Sequence, residues 1–395
     1  MNRFLALLLT TSLMLGGAFA QQPVTVWTHF GDTDLEWLQS QAASFEQNFG
    51  TPVQITRIDL GEIKQKMLLS APEGEAADLI VPIPHDQIGE MAAGGVLADM
   101  SQFSTEQYRE DLSEQALLAF TFNNRLFGLP MYVEGPALVV NTDLVPESPA
   151  NFEDFISQAE SLTSDGNFGF LYDIKNFYFS YVWLNSLGGY VFDRGDNGDL
   201  EPNDLGLANE GAVQGAELMR SLQYQYGLIP ADTDTQVAEG LFVDGKLGMI
   251  YNGPWMMANI PENISVSVIP IPAMADGTEF NGFMGVQGIL MNEFSQNKTT
   301  AANFAKWVTR PEAQVDLANR SGRVPSSQGA AEQVADDPVI AGFSEALANA
   351  VPMPNIPEMG QVWEPMASAL TVILESPDSN IEAALQTAIN EIQGN

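Results

Sequence analysis

The chain has 395 residues, with 15 Lys and Arg against 51 Asp and Glu, a formal net charge of −36 and no cysteine. That balance argues against nucleic acid, whose binding needs clustered Lys and Arg to displace counterions, and against an anionic membrane surface for the same reason. The absence of cysteine excludes disulfides, thiolate metal sites and a lipid anchor on an N-terminal cysteine.

The opening "MNRFLALLLTTSLMLGGAFA" has a basic start at Arg3, an apolar run from Phe4 to Leu15 and the close Ala18-Phe19-Ala20. This is the pattern of an export signal cleaved after Ala20. The run is short of the ~20 apolar residues that span a bilayer. The remaining 375 residues (395 minus 20) are expected to be soluble outside the cytoplasmic membrane. They are enough for two lobes of ~150–200 residues.

"PVTVWTHF" reads as a buried strand. In "DTDLEWLQSQAASFEQNFG", Leu35, Leu38, Ala42 and Phe45 recur at helical spacing and Gly50 is the stop signal. "TPVQITRI", "GEIKQKMLLSA" and "ADLIVPI" continue as strand, helix and strand. The β-α-β-α-β order predicts a mostly parallel sheet with helices on both faces. "RLFGLPMYVEGPALVVN" holds two extended runs around "EGP". "NFEDFISQAESL" is a helix capped by Asn151, and "FYFSYVWLNSLGGY" an aromatic helix ended by Gly188-Gly189. Asn197-Gly198 fits a tight turn in a polar loop that lacks the ligand spacing of an EF-hand. "VAEGLFVDGKLGMIYNGPW" reads as helix, turn and strand; "VSVIPIPA" and "FMGVQGILM" are strands. From Thr299 on the pattern is largely helical, with breaks near Pro325 and Pro352–Pro357. Residues 130–141 and 281–291 are hinge candidates.

Catalytic and cofactor motifs are thin. His29 and His85 are the only histidines; their spacing matches no zinc motif, and no nucleophile elbow or phosphate-binding glycine loop is present. No cofactor or metal is expected, and both histidines read as structural. The aromatics say more. Trp255 closes a strand behind "NGP"; Trp363 follows Pro354 and Pro357, with Pro365 behind it; Tyr178 lies at a helix start. A flat ring covers the apolar C–H face of a pyranose, and a carboxylate accepts from adjacent hydroxyls through charge-assisted bonds. Asp32, Asp86, Glu134 and Glu364, all near turns or strand ends, are candidate acceptors.

The segments "VTVWTHF", "ADLIVPIPHDQIGEMAAGGVLAD", "GLPMYVEGPALVVNTDLVP", "LNSLGGYVF", "LFVDGKLGMIYNGPW" and "MPNIPEMGQVW" resemble the maltose/maltodextrin-binding proteins of ABC import systems, over nearly the whole mature length. The resemblance implies an α/β, two-lobed periplasmic binding protein fold (type II). Each lobe would be a mostly parallel sheet flanked by helices, with the ligand in a cleft that closes by hinge bending. The corresponding division is 21–131 with 284–330 for the N-terminal lobe and 132–283 with 331–395 for the C-terminal lobe. It implies Trp255, Trp363 and Tyr178 as stacking rings, Glu134, Asp86 and Asp32 as hydroxyl acceptors, and Asn176 as a further hydroxyl partner. Gln87, Pro82-Ile83-Pro84, Glu364 and Ala367 depart from the enteric pattern, which leaves trehalose, sucrose or a cyclic dextrin open as ligands. The expected role is non-catalytic delivery of α-glucan oligosaccharides to an ABC permease by a periplasmic monomer. A glycoside hydrolase, with two carboxylates flanking one bond, is the alternative.

Overall fold

The computed structural model describes residues 22–195 and 198–394. The export signal and Asn197 lie outside the described residues. The chain begins with β1 (Val24–Thr28), α1 (Asp32–Phe49), β2 (Val53–Arg57), α2 (Leu60–Ser70) and β3 (Leu79–Pro84). β1 pairs in parallel with both β2 and β3, as helical crossovers require. α1 buries Leu38, Ala42 and Phe45 against the sheet, with Trp37 added to that face. Gly50 ends it at φ 71, and its N–H donates to the Glu46 carbonyl at 2.7 Å.

β4 (Gly128–Glu134) lies in the same sheet. After Gly135-Pro136, β5 (Ala137–Asn141) lies in another. The second sheet is completed by β6 (Phe168–Leu171), β7 (Leu247–Asn252) and β8 (Val266–Ile269), in the order β8-β5-β7-β6. The aromatic helix α3 (Phe177–Ser186) lies between β6 and β7 in the chain. β9 (Phe283–Met291) returns to the first sheet. The chain closes with α4 (Pro311–Ser321), β10 (Val324–Pro325), β11 (Val351–Pro352) and α5 (Trp363–Ile373), followed by one more helix. The large sheet runs β10-β4-β9-β3-β1-β2, with β11 beside β9.

The sheets are mixed rather than mostly parallel. β9 runs antiparallel to both β3 and β4, and β7 and β8 run antiparallel to β5. The parallel order holds where local β-α-β units build the sheet. β9 instead enters from the second sheet, so its direction is not set by a crossover helix. All nine residues of β9 are buried, because helices cover both faces of the sheet centre. Gly288 has no room for a side chain: a Cβ there would sit 2.5 Å from the Phe120 ring. In the second sheet's lobe, α3 buries Phe177, Phe179, Tyr181 and Trp183 and leaves Tyr178 half-buried. Tyr181 stacks on Phe283 of β9, with ring centres 3.7 Å apart and planes 6° apart.

Candidate functional site

Between the sheets lies a cleft of about 520 Å³. Trp255, Trp363 and Tyr178 line it together with Asp32, Asp86 and Glu134. Six candidates that are up to 331 positions apart (363 minus 32) therefore share one cavity.

The aromatic wall is built by turns. β7 ends at Asn252, and Trp255 sits two residues beyond Gly253, in a 3-10 turn over Pro254–Asn259 rather than in the strand. Gly253 is required by close approach: a Cβ there would meet the Trp255 indole at 2.2 Å. Tyr178 packs 6.1 Å from Trp255, tilted by 50°. Trp363 follows a 3-10 turn over Pro357–Gln361 and opens α5. Pro365 falls in the first turn of that helix, where a missing N–H is no loss. The Trp363 ring rests edge-on against Phe177 and Phe283, at 6.0 and 5.9 Å. Both indoles are half-buried, so each keeps a face for the cleft.

The acids differ in kind. Asp32 is exposed, at the first residue of α1, with φ 45. Asp86 lies in the turn His85–Gln87 that follows β3. Burial pushes its carboxyl up to about 7, against the pull of Lys64 and a hydrogen bond from the Trp363 indole N–H. Glu134 closes β4 and is buried. Its carboxylate accepts from Gln287 Nε2 at 2.7 Å and from Arg323. Burial raises its pKa, while Arg323 and Gln287 hold it down. His29 also lines the cleft and is kept neutral, lowered to about 4 by burial and by Arg323. His85 is structural, as its sequence position suggests: Nδ1 accepts the Val286 N–H at 3.0 Å, and Nε2 lies 2.9 Å from the Met353 carbonyl.

Two candidates do not reach the lining. Asn176 is exposed, and its Oδ1 accepts the Tyr178 N–H at 3.0 Å to cap α3. Glu364 is exposed on the first turn of α5. Neighbours on a helix do not share a face, so a Trp363 turned to the cleft turns Glu364 away. Sequence reasoning missed Asp34, Gln287 and Arg323, all buried and all on the cleft wall. A signal existed for Arg323: a cation in the tight "SGRVP" turn of a chain with few cations.

The arrangement offers apolar ring faces and a rim of carboxylates, the chemistry that binds a neutral polyol. The Thermus thermophilus maltotriose binding protein, solved with maltotriose bound, is 41% identical and superposes with a TM-score of 0.90, over 94% of this chain and 99% of that one. A galactooligosaccharide-binding protein of Bacillus subtilis is 28% identical over 90% of this chain and 86% of its own length. A maltotriose-binding protein of Pyrococcus abyssi is also 28% identical, over 94% of this chain and 82% of its own. The model of bacterial extracellular solute-binding proteins matches residues 40–342. Fold, cleft and comparisons agree, and the chain belongs to the bacterial extracellular solute-binding proteins.

Proposed function

We propose that this protein binds maltose and maltodextrins without chemical change and delivers them to the membrane subunits of an ABC permease. The observation that carries the reading is that Trp255, Trp363 and Tyr178 share one cleft with Asp32, Asp86 and Glu134. Relatives that bind, by name, maltotriose support the α-glucan choice over other sugars. The lobes divide as 21–131 with 284–330 and 132–283 with 331–395. The two changes of sheet, between β4 and β5 and between β8 and β9, support a division into two parts near those bounds, with the first change falling after Glu134 and with β11 paired to β9 in the large sheet. Trp255, Tyr178 and Trp363 from the second lobe and Asp32 and Asp86 from the first would meet the sugar together, so the ligand favours the closed form by its differential affinity. The protein acts as a monomer in the periplasm, after cleavage behind Ala20. Among the described residues no helix is long and apolar enough to cross a membrane.

The test is a thermal-shift screen over maltose, maltotriose, longer and cyclic dextrins, trehalose, sucrose and galactooligosaccharides. At a hundred times Kd, ligand adds about 2.7 kcal/mol to stability. A rise with maltotriose that exceeds the others supports the reading; a rise with galactooligosaccharide alone replaces the sugar.

Hydrolysis is the second reading, because a carboxyl raised to about 7 at Asp86 suits a general acid. Glu134, however, already accepts from Arg323 and Gln287 through its two oxygens, which blunts it as a nucleophile or base. Glucose released from maltotriose during incubation would establish the enzyme; intact sugar supports the binder.

A further inference from the structure

The floor of the cleft holds one buried cation between two buried carboxylates. Arg323 follows Gly322, which ends α4 in the left-handed region at φ 68, and its side chain is 6% exposed. One terminal nitrogen donates to Asp34 Oδ2 at 2.6 Å, and the other donates to Glu134 Oε2. The guanidinium lies 4.9 Å from the centre of the Tyr132 ring. The other Glu134 oxygen takes the Gln287 amide. These groups come from α1, β4, β9 and the turn before β10. All but Tyr132 line the cleft. Asp34 Oδ1 and Arg323 Nε are buried and have no hydrogen-bond partner within the protein.

We propose that Arg323 is a positioning residue for the ligand: its fork holds the Glu134 carboxylate charged and turned so that its free lone pairs meet ligand hydroxyls, while Asp34 anchors the fork. The proposal rests on the reading of the cleft as a site for hydroxyls. An ionised carboxylate has about four acceptor sites, and the two bonds described leave others for a ligand. Without a cation, two carboxylates in one buried floor cannot both stay ionised, and one takes up a proton. A planar fork reaches two carboxylates at once, whereas a lysine ammonium is a single point charge. The titratable groups facing Arg323 are Asp34, Glu134 and Tyr132, with His29 and Tyr178 also within its field.

The test is a double-mutant cycle read by calorimetric titration with maltotriose, using wild type, Arg323→Met, Glu134→Gln and the double variant. Arg323→Met is expected to weaken binding roughly 30-fold in the wild-type background, as loss of a buried charge partner does. It should weaken binding less than about threefold when Glu134 is already Gln, because residues that act through one another are not additive. Arg323→Lys should fall between wild type and Arg323→Met. Equal losses in both backgrounds, or wild-type affinity in Arg323→Met, would overturn the proposal.

A ligand-free arm separates this outcome from failure of the sugar reading. Melting temperatures of wild type and Arg323→Met are compared from pH 8 to pH 5. A carboxyl whose folded pKa is raised stabilises the fold as pH falls, so the gap between the two should narrow toward pH 5. A constant gap overturns the proposal even if no tested sugar binds, and Arg323→Gln, which also removes the charge, serves in the same comparison should Arg323→Met not fold.

Discussion

His85 and Met353, 268 positions apart, are joined by a 2.9 Å hydrogen bond between the imidazole Nε2 and the main-chain carbonyl. The other ring nitrogen accepts from Val286 of β9. The imidazole therefore ties the turn that carries Asp86 to β9 and to the strap leading to Trp363. His85→Ala leaves a buried N–H and a buried carbonyl without this partner, and should cost about 2–3 kcal/mol of stability by chemical denaturation. Burial lowers the imidazole to about 4. A lowered histidine contributes stability that is present above its unfolded value, near 6.5, and is lost as pH falls through about 4. Wild type should thus lose stability between pH 6.5 and 4 more steeply than His85→Gln; parallel curves would remove the imidazole from that role.

Trp255→Ala removes a ring that lines the cleft and packs against Tyr178. Affinity for maltotriose should fall by at least about 2 kcal/mol, the scale of an aromatic hot spot. The fold should survive, since the ring is half-buried. Titration calorimetry decides it, and an unchanged Kd would place the sugar elsewhere.

Asp86 gives the cleft a pH response near neutrality. Its carboxyl is raised to about 7, so ionisation over pH 6–8 supplies the anion that accepts hydroxyls most strongly. Maltotriose should bind more tightly at pH 8 than at pH 6 in wild type, and Asp86→Asn should flatten the change. The ligand-free sign is opposite. A raised carboxyl contributes stability that is full below its unfolded value, near 3.8, and is lost as pH rises through about 7. The melting temperature of wild type relative to Asp86→Asn should therefore decline from pH 4 to pH 7.

Indole emission offers a direct readout. Trp37 and Trp183 are fully buried in their lobes, whereas Trp255 and Trp363 are half-buried on the cleft. Saturating maltotriose should shift the emission of wild type, and Trp255→Phe with Trp363→Phe should remove most of the shift. A flat titration across all α-glucans would count against sugar stacking.

The sequence displays what is local. The spacing of Leu38, Ala42 and Phe45, the Gly50 stop and the Asn151 cap are each decided within a turn or two, and each is where it was expected. The rings of the cleft were legible because prolines and glycines fix their turns. The Arg323–Asp34 pair was not, since its partners are 289 positions apart and meet only through sheet topology. The direction of β9 was hidden for the same reason. Glu364 was misleading in a simpler way: α5 starts one residue earlier, at Trp363, so the two side chains diverge by a helical step.

Trp363 follows every strand of both sheets in the chain, while Asp32 precedes all but the first. A chain cut short before α5 would keep every strand of both sheets together with Asp32 and Asp86, yet lack the Trp363 wall of the cavity. The cavity is therefore complete only where the two far ends of the polypeptide meet, and no shorter run of the sequence carries it.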